Sequence, residues 1–111
     1  MTYQDAITAL ADPTRRAIVE RLRAGACPVG VLAQGLPVSR PAVSQHLRVL
    51  TDAGLVTVAP AGNRRLYRLS PTGFDGLRHY LDTLWDDALR AFQREAEAQA
   101  RRQPNSKDQP G

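Results

Sequence analysis

The sequence has a single cysteine, Cys27, in 111 residues. No intramolecular disulfide can form, so a disulfide-stapled secreted domain is excluded and a reducing cytoplasm fits. No apolar run approaches the roughly 18 residues of a membrane-spanning helix. Met1 to Asp5 lacks a basic region followed by an apolar stretch, and no signal peptide is expected. There are two histidines, no glycine-rich phosphate loop and no close nucleophile–base pair, which leaves catalysis poorly supported. Asp86 and Asp87 point about 100° apart on a helix, so they are not a carboxylate pair sharing a proton. No internal repeat is visible, and no cofactor is expected.

What is present fits one small globular domain. A chain of this length has room for one core and none for a separate cofactor domain. The net charge is +4, and it is unevenly placed. Residues 38–70 carry Arg40, Arg48, Arg64, Arg65 and Arg68 against Asp52 alone, a net of +4. Residues 71–98 carry three Arg against six carboxylates, a net of −3. A basic middle and an acidic segment after it suggest a nucleic-acid face in one part and a different task in the other.

Hydrophobic spacing and punctuation predict the order helix, helix, helix, helix, hairpin, helix. Ala6, Ile7 and Leu10 give a short first helix over Thr2 to Ala11. Asp12-Pro13 reads as a helix start, followed by Ala17, Ile18, Val19 and Leu22 inward and an end near Gly25. Pro28 opens a short third helix, with Val29, Leu32 and Ala33, that stops at Gly35. Ser39 caps the fourth helix, whose Val43, Leu47 and Leu50 stripe faces the core until Gly54. Leu55 to Ala59 and Leu66 to Leu69 alternate as strands around the turn Pro60-Ala61-Gly62-Asn63. A long helix then runs to about Arg101. Its stripe Phe74, Leu77, Leu81, Leu84, Ala88 and Ala91 lies beside a second, Trp85, Leu89, Phe92 and Ala96. One small domain does not easily cover so wide a face, which favours a dimer seam over packing on the chain's own core. The expected boundaries are a DNA-binding and dimerisation domain at 1–101 and a disordered tail at 102–111.

A short helix, a tight connection, a second helix and a basic hairpin make a winged helix-turn-helix. The fourth helix turns Arg40, Ser44, Gln45 and Arg48 outward, side-chain types that reach base edges and phosphates. Arg64 and Arg65 lie close to the hairpin tip.

The segments Ala9 to Arg16, Val38 to Leu50, Ala53 to Val56 and Gly62 to Leu69 resemble the ArsR/SmtB family of bacterial repressors, over roughly residues 5–95. The ending around Leu84 to Leu89 and Phe92 resembles a subgroup without the usual metal-site cysteines. The resemblance implies a mainly α fold with a small β-hairpin, dimerising through its first and last helices. It implies a homodimer that represses by binding double-stranded DNA at a near-palindromic operator. It places the DNA-binding residues at Ser39, Arg40, Ser44, Gln45, Asn63, Arg64 and Arg65. Ser39 suits a cap as well as a phosphate contact. His46, beside Leu47, suits a structural hydrogen bond more than a phosphate. Arg15 and Arg16 suit partners within the subunit or a solvated face, and Tyr67 suits packing under the hairpin.

Family metal sites have little to match here. Cys27 is one thiolate where a closed zinc or arsenic site needs more. His79 shares a helix face with Asp75 and Asp82, and a twofold axis would double that set for nickel or zinc, but a solvated acidic face is the favoured reading and no metal site is expected. An effector or partner protein stays unidentified. A module that uses this fold to dock a protein is the alternative to DNA binding, and the outward Arg and Gln side chains argue against it.

Overall fold

The computed structural model describes residues 3–102. The chain divides into two compact units, 1–78 and 79–111. The first holds α1 (Tyr3–Ala11), α2 (Pro13–Leu22), β1 (Cys27–Pro28), α3 (Val29–Gln34), α4 (Arg40–Asp52), β2 (Val56–Ala61), β3 (Arg64–Leu69) and the start of α5 (Pro71–Arg102).

The expected punctuation sets the helix ends. Asp12 caps α2 with its side chain on the Arg15 N–H, and Pro13 takes the first turn, where its missing N–H costs nothing. Ser39 caps α4 by accepting from the Ala42 N–H at 3.3 Å. Gly54, at φ 80°, ends α4. The Gly54 N–H donates to the Thr51 carbonyl at 2.9 Å and the Leu55 N–H to the Leu50 carbonyl at 3.0 Å, a Schellman close that also seals Leu55 onto Leu50. Ser70 starts α5, its hydroxyl accepting from the Gly73 N–H at 3.1 Å. Gly73 has a second constraint: a Cβ there would run into the Gly54 carbonyl, so only glycine lets α5 begin so close to the end of α4.

The core lies in the first unit. Ile18 of α2, Leu32 of α3, Val43, Leu47 and Leu50 of α4, and Leu55 and Val56 are its fully buried side chains. The expected stripe of α4 is therefore the one that packs. In α1 the inward pair is Ala6 and Ala9 rather than Ile7, which is exposed on the same side as Tyr3 one turn earlier. Two alanines let α1 approach closely, and the larger side chains are left outside.

The sheet differs from a plain hairpin. It has three antiparallel strands in the order β1-β3-β2, with Cys27 opposite Tyr67 and Pro28 opposite Leu66. The hairpin strands also run further than expected. Pro60 and Ala61, assigned to the turn by sequence, pair with Arg65 and Arg64, and the turn shrinks to Gly62-Asn63. Gly62 alone has positive φ there, 65°, as the first position of a type II′ turn requires. Ala61 and Arg64 close the turn as a hydrogen-bonded pair, so Pro60, one residue on, directs its missing N–H to the open edge of β2. A proline is tolerated on that edge and discourages further pairing.

The described part of the second unit, residues 79–102, is wholly helical. Leu81, Leu84, Trp85, Leu89 and Phe92 are all exposed, up to 74% for Phe92. Exposed ion pairs join Asp87 to Arg90 at 3.5 Å and Glu95 to Arg102 at 3.6 Å, and such pairs contribute little. The helix reaches Arg102, one residue past its expected end; the rest of the tail, 103–111, lies outside the described residues.

Candidate nucleic-acid interface

The outer face of α4 follows from its inner one. With Val43, Leu47 and Leu50 buried, Pro41, Ser44, Gln45 and Arg48 form the opposite stripe at spacings of three, one and three, and all four are exposed. Ser44 and Gln45 thus stand free to meet an incoming surface. Pro41 is small, and Arg48 lies one turn further along.

Arg40 has a different position. It opens α4, and its guanidinium lies beside Gly30 of α3, where an added Cβ would sit 3.7 Å from the Arg40 Cζ. That is ordinary van der Waals contact, so the guanidinium packs against this part of α3. Arg40 lines an open groove of about 850 Å³ together with Gly30, Gln34, Val38 and the hairpin residues Asn63, Arg64, Arg65 and Tyr67. Four of the seven expected site residues, Arg40, Asn63, Arg64 and Arg65, are therefore brought to one groove from parts of the sequence more than twenty residues apart. Ser44 and Gln45 are outside that lining, on the exposed stripe of α4. Ser39 is at the cap, and its hydroxyl is engaged with Ala42.

Gly30 and Gln34 were not singled out by sequence. A six-residue helix shows too little periodicity to mark one face as a groove wall. Tyr67 is half-buried and packs against the core, as expected under the hairpin. Arg40, Arg64 and Arg65 bring three guanidinium groups to a groove whose remaining walls are largely apolar, Val29, Val31 and Val38 among them, and among the described residues no carboxylate lines it. Guanidinium groups hold phosphate oxygens in a bidentate fork, and amide side chains such as Gln45 match the edge of an adenine.

Behind α4 sits a polar cluster. The Arg15 Nε donates to the Ala9 carbonyl at 2.7 Å, and its Nη1 lies 3.3 Å from the His46 Nδ1. Asp12 Oδ2 is 3.9 Å from the same nitrogen. His46 and Arg15 are thus engaged within the subunit, the role favoured for His46 and one of the two left open for Arg15. The Asp12 carboxyl is held below its ordinary range, first by the hydrogen bond from the Arg15 N–H and further by the Arg15 charge; partial burial acts the other way. Cys27 is a half-buried free thiol whose Sγ is 3.6 Å from the Pro28 carbonyl. Among the described residues no group of three or more His, Cys, Asp or Glu is placed to hold a metal ion, and no helix is long and apolar enough to cross a membrane.

Comparison with known proteins follows this geometry closely. A family model described as a helix-turn-helix domain matches residues 10–59. The HTH-type transcriptional regulator Rv2034 of Mycobacterium tuberculosis is 62% identical over 84 residues, covering 76% of this chain and 78% of that protein. The arsenical resistance operon repressor of Staphylococcus xylosus is 31% identical over 87 residues, covering 76% of this chain and 84% of that one. A homodimeric winged helix-turn-helix DNA-binding domain from Mycobacterium bovis, described as a possible ArsR-family regulator, superposes with a TM-score of 0.62 at 25% identity, covering 76% of this chain and 78% of that one.

Proposed function

The chain belongs to the ArsR/SmtB family of helix-turn-helix transcriptional regulators, and from that premise we propose that it represses transcription as a homodimer seated on a near-palindromic operator. The observation that carries this reading is the exposed Ser44–Gln45 stripe of α4 beside a groove lined by Arg40, Arg64 and Arg65. In the proposed complex α4 lies in the major groove. Ser44 and Gln45 meet base edges and Arg40 contacts a guanine. The hairpin tip, Asn63, Arg64 and Arg65, takes the phosphates alongside, and Ser39 adds a backbone contact without giving up its cap. The two recognition helices then address half-sites about 34–36 Å apart. The dimer forms through α1 and the exposed apolar face of α5, since burying Trp85, Leu89 and Phe92 against a second copy removes large apolar side chains from water.

The division of labour between base and phosphate contacts is open to direct test. A duplex is first selected by the purified protein from a randomised pool, and its affinity is compared with a scrambled duplex of equal length. Arg40→Ala and Gln45→Ala are each expected to cost about 1–3 kcal/mol on the selected duplex and far less on the scrambled one. Equal weakening on both duplexes would remove these residues from base reading.

A further inference from the structure

The most informative contact outside the exposed face of α4 is the one behind it. Arg15 is the third residue of α2, and its side chain spans three helices. Its Nε donates at 2.7 Å to the carbonyl of Ala9, one of the last-turn carbonyls of α1 that have no partner within their own helix. Its Nη1 lies 3.3 Å from Nδ1 of His46 on α4. Arginine is a donor only, so in this hydrogen bond Nδ1 is the acceptor. Asp12 completes the cluster by binding the Arg15 N–H at 3.0 Å and placing its carboxylate near the same imidazole. His46 follows Gln45 directly in α4, so a rotation of the helix that moved one would move the other.

We infer that Arg15, acting through His46, is a positioning residue that fixes the rotation of α4 against α1 and α2, and so sets how well α4 reads DNA. This rests on α4 being the reading helix. The planar fork of a guanidinium supplies two separate donor nitrogens in fixed relative directions, one for each neighbouring helix, whereas a lysine gathers its donors on one nitrogen at the end of a flexible stem and loses that fixed geometry. A side chain that served stability alone would lower the melting temperature without altering the choice between duplexes in protein that is still folded.

The test compares affinities for the selected and scrambled duplexes in Arg15→Lys, His46→Leu, His46→Gln, the Arg15→Lys/His46→Leu double variant and Gln45→Ala. Circular dichroism melts fix an assay temperature at which all are folded. Arg15→Lys and His46→Leu are each expected to lower the selected-over-scrambled ratio about fivefold. The double variant falls no further than either single one, because both remove the same link. His46→Gln, whose amide oxygen accepts the same hydrogen bond, stays within about twofold of the parent protein. An unchanged ratio in Arg15→Lys and His46→Leu, with a lowered one in Gln45→Ala, would overturn the inference and leave α4 as the reading helix. Losses that multiply in the double variant would also overturn it. An unchanged ratio in Gln45→Ala as well would overturn both readings.

Discussion

The N–H groups of the first turn of α2 have no partner within the helix, and the Asp12 carboxylate takes that of Arg15 at 3.0 Å. That hydrogen bond is the chief reason its carboxyl titrates below the ordinary value of 3.8. A carboxyl with a lower folded than unfolded pKa stabilises fully above the unfolded value. It loses that contribution as pH falls through the folded one. The melting temperature of the parent protein is therefore expected to fall more steeply than that of Asp12→Asn as pH drops from about 5 to about 3, since asparagine keeps a cap oxygen but does not titrate. Parallel declines in the two proteins, followed by circular dichroism, would contradict the assignment. Asp12 and Pro13 were legible as a helix start because the chemistry of a cap is local. The link from Arg15 to His46 was legible only in kind, as a structural role for each, because thirty-one residues separate them and no local rule pairs them.

At the scale of elements, the wing is where sequence and structure part most. Strand β1 has two residues, Cys27 and Pro28, too few for any alternation, and its pairing with β3 is a tertiary event. Pro60 read as a turn residue because proline usually is one; its place on an open strand edge is the exception that pairing order alone reveals. The spacing of Ala6, Ile7 and Leu10 marks α1 as a helix but not its core face, which falls to Ala6 and Ala9 because alanines permit the closer approach. By contrast, α4 was legible from cap to stop, since Ser39, the Val43–Leu47–Leu50 stripe and Gly54 agree on one helix and one buried face. The extended strands bring Arg64 and Arg65 to the groove that Arg40 enters. If the wing serves phosphates, Arg65→Ala should weaken selected and scrambled duplexes about equally. It should also flatten the slope of log affinity against log salt by about 1.8, about 0.9 for each of the two Arg65 side chains in the dimer. An unchanged slope would take Arg65 off the phosphate backbone.

At the scale of the whole molecule, two faces remain to be used. Leu81, Leu84, Trp85, Leu89 and Phe92 expose a continuous apolar strip on α5, larger side chains than a solvated helix normally carries. The protein is expected to be a dimer by light scattering at micromolar concentration. Trp85→Asp combined with Phe92→Asp should yield a folded monomer. Its operator affinity should drop about a hundredfold, because the second half-site no longer benefits from being tethered to the first. A monomeric parent protein, or a variant that stays dimeric, would contradict the seam. The other face is the central claim, that α4 and the wing together choose a DNA sequence. Fluorescence anisotropy on the unmodified protein, with the selected and scrambled duplexes at about 0.15 M salt, tests it most directly, because affinity is interpretable only at a stated salt. Preference for the selected duplex by about a hundredfold or more is the predicted result; equal affinity for the two would contradict it.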